Sequence, residues 1–165
     1  SKYSYNYLNK INLKYIVLCE NLSISGINTA GIPDNTMKTL ILDISFDKDY
    51  FERVIHHELF HIINDQYNEL FKKDEWNKLN ESKFEYAECS TCTEKLGLET
   101  YKKTKGFFTE YSKSTASEDM AEVYSHMIFL DKNYINKIKK EDTILNNKII
   151  YIENKIKEID NSFVF

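Results

Sequence analysis

The sequence predicts an α+β fold in which helices predominate and a small sheet stands beside them. Three features indicate this: long stretches with apolar residues at steps of three and four, two short apolar runs with β-branched residues, and few residues that break helices. The chain has 165 residues but only 1 proline and 4 glycines. Its length is typical of one domain, and we expect residues 1–165 to form a single domain.

Two short apolar runs predict strands. Residues 14–19 end in a β-branched stretch that indicates a buried strand, and residues 39–44 indicate a second one. Between them, Gly26, Gly31 and Pro33 are turn signals. The second strand comes just before the first of the predicted helices.

Three stretches predict helices. The first opens at a capping-box pattern, Asp49 to Glu52, and continues to about Gln66 with apolar residues at helical spacing. The second opens at another capping box, Thr115 to Glu118, and runs through Ile128. The third covers residues 145–159, and we expect it to pack on the domain. Residues 68–106 show no regular period and predict a long irregular connection, of the kind that is often functional.

Composition and charge exclude several classes of protein. Apolar residues make up 42% of the chain and charged residues 29%, which is typical of a globular protein rather than a disordered one. The net charge is −4, and no basic cluster is interleaved with aromatic residues, so nothing indicates nucleic-acid binding. No apolar run approaches the roughly 20 residues that cross a bilayer, and we expect no membrane span.

The first helix contains the pattern that indicates a chemistry. His57-Glu-Leu-Phe-His61 is an H-E-x-x-H, and random placement would produce it only about once in a hundred chains of this composition. Residues four apart lie one turn apart on the same face of a helix. Two imidazoles therefore stand side by side, as a metal ion requires, with Glu58 next to them. His56 points about 100° away from His57 and should not share the metal.

A catalytic zinc site uses three protein ligands and leaves one position open for water. Glu118 and Glu122 lie one turn apart on the second helix, so one can bind metal while the other supports a ligating histidine. Spacing alone leaves open a simple capping role for Glu118. His126 is a rival ligand, although a lone histidine two turns into a helix is more often packed or exposed. Asp65, one turn beyond His61, is a candidate outer partner.

The cysteines leave a second chemistry open. The chain has 3 cysteines, and an odd number cannot make a complete disulfide framework. Cys89-Ser-Thr-Cys92 is a C-x-x-C without the second pair that a structural zinc site needs. We expect either a local disulfide or two free thiols there, and a thiol-redox activity is a weaker alternative.

The two motifs together resemble those of the gluzincin metallopeptidases. The likeness is to the catalytic domain of anthrax lethal factor and to the bacterial zinc-binding metallopeptidases similar to it. In that group a tyrosine precedes the glutamate ligand by seven residues, and an Ala-Glu pair follows it. Here Tyr111 precedes Glu118 by seven residues, and Ala121-Glu122 follows. The resemblance covers roughly residues 39–130 and is tight only at the two motifs; the connection at 68–106 and its cysteines depart from the family.

The resemblance implies a role for each matching residue. It implies one zinc ion per chain, with Glu58 as the general base that activates the attacking water. Tyr111 would donate its hydroxyl to the developing oxyanion. The ligands implied are His57, His61 and Glu118, and the outer supports implied are Asp65 and Glu122.

The resemblance also implies a fold and a substrate. It implies a zincin-like domain whose small mixed sheet borders the active-site cleft with its edge strand, and residues 39–44 are the predicted edge strand. An extended peptide could pair with that edge, which makes a metalloendopeptidase acting on peptides or proteins the expected function. We expect a monomer that is secreted or held at the cell surface. The alternative is a non-catalytic zinc-binding pseudoprotease module that binds a protein partner.

Overall fold

Six α-helices and five short strands make up the computed structural model, which describes residues 2–91, 97–99 and 102–165. The arrangement confirms the predicted α+β fold with a small mixed sheet. A 3-10 helix, Glu110–Lys113, precedes the fourth α-helix. The helices are α1 (Tyr5–Lys10), α2 (Lys48–Gln66), α3 (Lys73–Asn77), α4 (Ala116–Phe129), α5 (Lys132–Glu141) and α6 (Thr143–Ile159). The strands are β1 (Tyr15–Cys19), β2 (Ser23–Ile24), β3 (Ile27–Asn28), β4 (Gly31–Asp34) and β5 (Thr39–Asp43).

The three-stranded sheet has the order β1-β5-β4, with β1 parallel and β4 antiparallel to β5. The prediction that residues 39–44 form the edge strand was wrong, because β5 has a hydrogen-bonded neighbour on both sides. Its central place fits the burial of Leu40 and Leu42. The edge on the cleft side is β4, where the sequence indicated only turns. Proline cannot donate to a ladder, so Pro33 is compatible with an edge strand but not with a central one.

Strand β1 forms as predicted, but the expectation that it is buried was wrong. Four consecutive side chains, Tyr15 to Leu18, are 45–62% exposed. The reason is the position of the core: α2 packs on β4 and β5, and β1 extends beyond this layer on the far side of β5.

Helices α2 and α4 form the centre of the core. From α2 come Leu59, Phe60, Ile62 and Ile63, and these pack with Met120, Val123 and Tyr124 of α4. The predicted cap of α2 was two residues off: Asp47 is the N-cap and accepts from Tyr50 N at 3.0 Å. The predicted cap of α4 is confirmed, because Thr115 Oγ1 accepts from Glu118 N at 3.1 Å.

The C-terminal part of the chain covers the other side of α4. Helix α6 confirms the predicted helix at 145–159 and packs on α4, as expected. Helix α5 was not predicted; it packs along α6 and buries only Ile135 and Ile138. That apolar stripe is too narrow to stand out in a lysine-rich stretch. Within the described residues, no helix is long and apolar enough to cross a membrane.

The irregular connection is held by a buried ion pair. Lys148 Nζ of α6 lies 2.6 Å from Asp119 Oδ2 of α4, and both side chains are fully buried. The same carboxylate oxygen accepts from Trp76 Nε1 at 2.9 Å and from Tyr86 OH at 2.5 Å. The predicted irregular segment is therefore anchored by its aromatic residues. Cys89 is disulfide-bonded, so the expectation of two free thiols was wrong. Cys92 lies outside the described residues, so a local Cys89–Cys92 disulfide and a redox activity stay predictions.

Candidate metal centre

Three side chains from two helices converge at one point. His57 and His61 extend from α2 and Glu118 from the first turn of α4. His57 Nε2 lies 2.9 Å from Glu118 Oε2 and 3.2 Å from His61 Nε2, and His61 Nε2 lies 3.3 Å from Glu118 Oε2. Helical spacing aligns the two histidines, and the Thr115 cap fixes where α4 begins and so where Glu118 points.

This donor set fits a zinc ion. Two imidazole nitrogens and one carboxylate are ligands that zinc prefers in catalytic sites, and a tetrahedral ion would hold such atoms about 3.3–3.5 Å apart. The separations observed are at or slightly below that value. The three groups are at least three-quarters buried yet open into a cleft, which leaves a side for water.

The charges around His57 also favour a cation. Burial by itself lowers the pKa of His57, but hydrogen bonds to Glu118 and Glu122 outweigh it and raise the pKa to about 10. Burial would raise the pKa of Glu118, but the two histidines hold it well below its usual range. Two carboxylates that stay ionised beside a buried imidazole create a demand for positive charge, which either a proton or a metal ion meets.

Glu122 orients His57. Its Oε1 lies 2.9 Å from His57 Nδ1 and accepts a hydrogen bond from Nδ1–H, which directs Nε2 at the centre. Glu122 is fully buried, and it also accepts from Arg53 Nη1 at 2.5 Å and from Thr109 Oγ1 at 2.8 Å. Burial would raise the pKa of Glu122, but Arg53 and the His57 hydrogen bond keep it well below its usual range.

The predicted outer support of His61 is less direct. Asp65 lies 2.6 Å from Lys38 Nζ and its side chain is 45% exposed. The Nδ1 atom of His61 instead has Ser117 Oγ at 3.4 Å, a long hydrogen bond. Asp65 lines the same cleft, but its hydrogen-bond partner among the described residues is Lys38, in the turn between β4 and β5, rather than one of the candidate metal ligands.

Glu58 stands in the cleft beside the three converging groups. Its side chain lies against strand β4, where a Cβ on Gly31 would come within 2.5 Å of Glu58 Cγ. Only glycine at this position leaves room for the carboxylate. Burial raises the pKa of Glu58, while His57 and His61 oppose that shift. A carboxylate with a raised pKa beside a water site is suited to accept and return a proton.

Tyr111 comes from the 3-10 helix that precedes α4. Its ring centre lies 6.1 Å from that of His57, and Tyr111 lines the same cleft as Glu58 and Glu118. Burial, with Glu118 next, raises the pKa of this hydroxyl well above its usual value. The group therefore stays protonated and can donate to an oxygen that gains charge.

Two further histidines lie outside the centre. His126 stacks on Phe108 with ring centres 4.6 Å apart, and its Nδ1–H donates a hydrogen bond to the backbone carbonyl of Glu122 at 2.8 Å. That packing removes it as a rival ligand. His56 faces the opposite side of α2, where its Nδ1 lies 2.7 Å from Tyr3 OH, in line with the prediction that it does not share the metal.

An open cleft of about 1160 Å³ gives access to the centre. Strand β4 forms part of one wall through Gly31 and Pro33, and the start of the 68–106 connection contributes Lys72 and Lys73. The volume is larger than one small ligand needs and suits an extended chain.

The family assignment agrees with this geometry. The family model described as "Putative zinc-binding metallo-peptidase" matches residues 6–161, nearly the whole chain. The chain belongs to this family. No curated protein and no solved structure matches it significantly. Membership of a family described as zinc-binding metallopeptidases and a His57-His61-Glu118 group able to hold a metal ion point to the same kind of site.

Sequence reasoning missed four residues around the metallopeptidase centre: Gly31, Arg53, Thr109 and Ser117. Arg53 is four residues before His57, so helical spacing could have indicated that it shares the buried face. Ser117 directly precedes Glu118. Gly31 and Thr109 have no such signal, because only the tertiary fold brings them to Glu58 and Glu122.

Proposed function

We propose that this metallopeptidase is a zinc-dependent endopeptidase of the gluzincin type, as its resemblance to the anthrax lethal factor catalytic domain implies. The observation that carries the proposal is the convergence of His57, His61 and Glu118 to within hydrogen-bond distance, with Glu58 beside them in an open cleft. A structural zinc site would be closed by a fourth protein ligand, whereas the described residues supply three here and leave a cleft.

One zinc ion per chain would be held by His57, His61 and Glu118. When bound, zinc lowers the pKa of a coordinated water to about 7 and polarises the substrate carbonyl. The protein's part is to hold the ligands in the correct state: Glu122 keeps His57 protonated on Nδ1, which leaves Nε2 free to ligate.

Glu58 would act as the general base and then as the general acid. Its carboxylate takes a proton from the attacking water, and the same proton passes to the leaving amine when the C–N bond breaks. Burial raises its pKa, which makes this carboxylate a stronger base towards the attacking water than an exposed glutamate.

Tyr111 would stabilise the oxyanion that forms as water adds to the carbonyl. Its hydroxyl, protonated because its pKa is raised, would donate a hydrogen bond to that oxygen. A positioned donor of this kind contributes about 10²–10³ in kcat.

Strand β4 would align the substrate. Asp43 N donates to Ala30 O at 2.9 Å, so the alternation of an antiparallel ladder turns the backbone groups of Gly31 and Pro33 away from β5. An extended peptide could add to this edge as a further strand. Pairing along a strand favours cleavage within a chain, which supports an endopeptidase rather than a hydrolase of small amides.

The decisive test is Glu58→Gln assayed on a peptide library with mass-spectrometric identification of cleavage sites. We expect zinc content to be unchanged and hydrolysis to fall by about 10²–10⁴. Glu52→Gln is the matched control, since Glu52 lies on the same helix but does not line the cleft. Undiminished cleavage by Glu58→Gln would refute the assigned base.

Metal analysis tests the ligand set separately. His61→Ala should lose most of the zinc, whereas His126→Ala should keep it because His126 is packed on Phe108. A wild-type protein that carries one zinc but cleaves no member of a diverse library would refute the endopeptidase and favour the non-catalytic module.

A further inference from the structure

The sheet edge opposite the cleft is apolar and open. Strand β1 exposes four consecutive apolar side chains by 45–62%. Natural edge strands are usually blunted by charge, proline or a bulge, because an unpaired edge invites a second strand. Here the only charged residues are Lys14 and Glu20, which flank the strand at its two ends and are both exposed.

The backbone groups on this edge follow from the ladder with β5. Ile44 N donates to Cys19 O at 2.9 Å, and Cys19 is paired with Asp43. Backbone groups alternate along a strand, so those of Val17 and Cys19 face β5. Those of Ile16 and Leu18 therefore face outward and have no partner strand among the described residues.

We propose that β1 pairs antiparallel with β1 of a second copy of this chain, about a two-fold axis at Val17. In this register Ile16 of each copy lies opposite Leu18 of the other. Their outward N–H and C=O groups form the hydrogen-bonded pairs of an antiparallel ladder. Val17 lies opposite itself, and Lys14 of each copy lies opposite Glu20 of the other.

The sequence of the strand selects this register. Moving the axis to Ile16 would place Lys14 opposite Leu18, and moving it to Leu18 would place Ile16 opposite Glu20. Only the axis at Val17 sets every apolar residue against an apolar residue and each charge against its opposite. A two-fold interface requires this kind of self-complementarity, and cross-strand pairs of opposite charge stabilise it while like charges do the reverse.

The dimer would leave both clefts open. Joining the β1 edges gives one six-stranded sheet with a β4 strand at each outer end, and β4 is the strand that lines the cleft. The pairing is independent of the proposed peptidase activity, and it departs from the monomer expected from sequence.

Charge reversal tests the register, with analytical ultracentrifugation of the full chain as the readout. The wild type should sediment with twice the mass of one chain. Lys14→Glu sets two pairs of glutamates in apposition and should weaken the dimer about tenfold to a hundredfold. Adding Glu20→Lys to Lys14→Glu restores opposite charges and should restore the dimer. None of these positions belongs to the metal centre, so peptidase activity and zinc content should not change.

Cysteine cross-linking tests the axis. In a Cys19→Ser background, Val17→Cys places two thiols opposite each other at about 4.5 Å between Cα atoms, within disulfide reach. Ile16→Cys is the matched control: it is more exposed than Val17, but its counterpart is a diagonal neighbour about 7–8 Å away, beyond that reach. Oxidation should cross-link Val17→Cys and leave Ile16→Cys largely monomeric on a denaturing gel.

A monomeric wild type, a larger aggregate, or a charge swap that fails to restore the dimer would overturn the proposal. Equal cross-linking at positions 16 and 17 would overturn the register. Because activity and zinc are measured in the same samples, failure of the dimer is distinguishable from failure of the peptidase assignment.

Discussion

Substitution of Gly31 by alanine should impair the metallopeptidase without unfolding it. Gly31 lies on β4 directly beside the Glu58 side chain. A Cβ there would stand 2.5 Å from Glu58 Cγ and 3.0 Å from both Cδ and Oε1. Non-bonded carbon atoms prefer about 3.5–4.0 Å, so the Glu58 side chain must move by about 1 Å.

The expected magnitude follows from that displacement. Misplacement of a reacting group by about 1 Å costs on the order of 10²-fold in rate, which is about 2.7 kcal/mol in the activation barrier. The clash is with a side chain at the cleft rather than with backbone. Alanine also lowers the entropy of the unfolded chain, which contributes about 0.4–1 kcal/mol in the opposite direction. We therefore expect a large loss of kcat and little change in the free energy of unfolding.

The assay compares kcat/KM on a cleaved library peptide with zinc content and urea denaturation of the same samples. Ile32→Ala is the matched control, since Ile32 is the next residue of β4 and points to the other face. Gly31→Ala with wild-type kcat/KM would refute the steric role of Gly31 and weaken the assignment of Glu58. Loss of zinc together with activity would show that the metal ligands, not the base, were displaced.

Three further predictions concern the supports of the centre and the core. Lys148→Met leaves Asp119 buried without its cation and should cost about 3–5 kcal/mol in urea unfolding, with part recovered in the double variant that adds Asp119→Asn. Thr109→Val removes the donor to Glu122 Oε2 and should weaken zinc binding about 10–100-fold, measured by chelator competition. Thr109→Ser keeps the hydroxyl and should bind zinc with wild-type affinity. Burial, with Lys2 next, lowers the pKa of His56 from 6.5 to about 4, so the unfolded state takes up the proton first as pH falls. Stability of the metal-free protein should therefore drop between pH 6.5 and about 4, with His56 contributing at most ~3.4 kcal/mol. His56→Gln should flatten that slope only in part, because the pKa of His126 is also lowered to about 4 by burial.

Local sequence patterns were sufficient to predict α2 and α4, the two helices that carry the candidate metal centre. The spacing of His57 and His61 on an amphipathic stretch predicted their shared helix face, and the Thr115 capping box predicted where α4 begins. These features depend on interactions within a few residues, which the sequence displays directly. The position of Glu122 one turn after Glu118 likewise indicated a supporting carboxylate, which the structure places at His57 Nδ1.

Burial and sheet order could not be predicted in the same way. Residues 14–19 and 39–44 are similar apolar runs, yet β5 is central and buried while β1 is an exposed edge. A short apolar run indicates a strand but does not indicate how many neighbours it has. Strand β4 was not predicted because it contains Gly31 and Pro33, residue types that are typical of turns, and here these two residues lie on the edge strand beside the cleft.

The sequence by itself determined the fold class, the helix with the paired histidines, and the capped helix with the two glutamates. Only the tertiary structure decided that those helices cross with His57, His61 and Glu118 within 3.3 Å of one another. It also decided which groups surround them: Arg53 and Thr109 at Glu122, Ser117 at His61, and Gly31 at Glu58. The physical reason is the sequence distance over which the interactions act. Periodicity and capping depend on residues close together in the chain, whereas a site built from distant strands and helices depends on tertiary packing that no local pattern encodes.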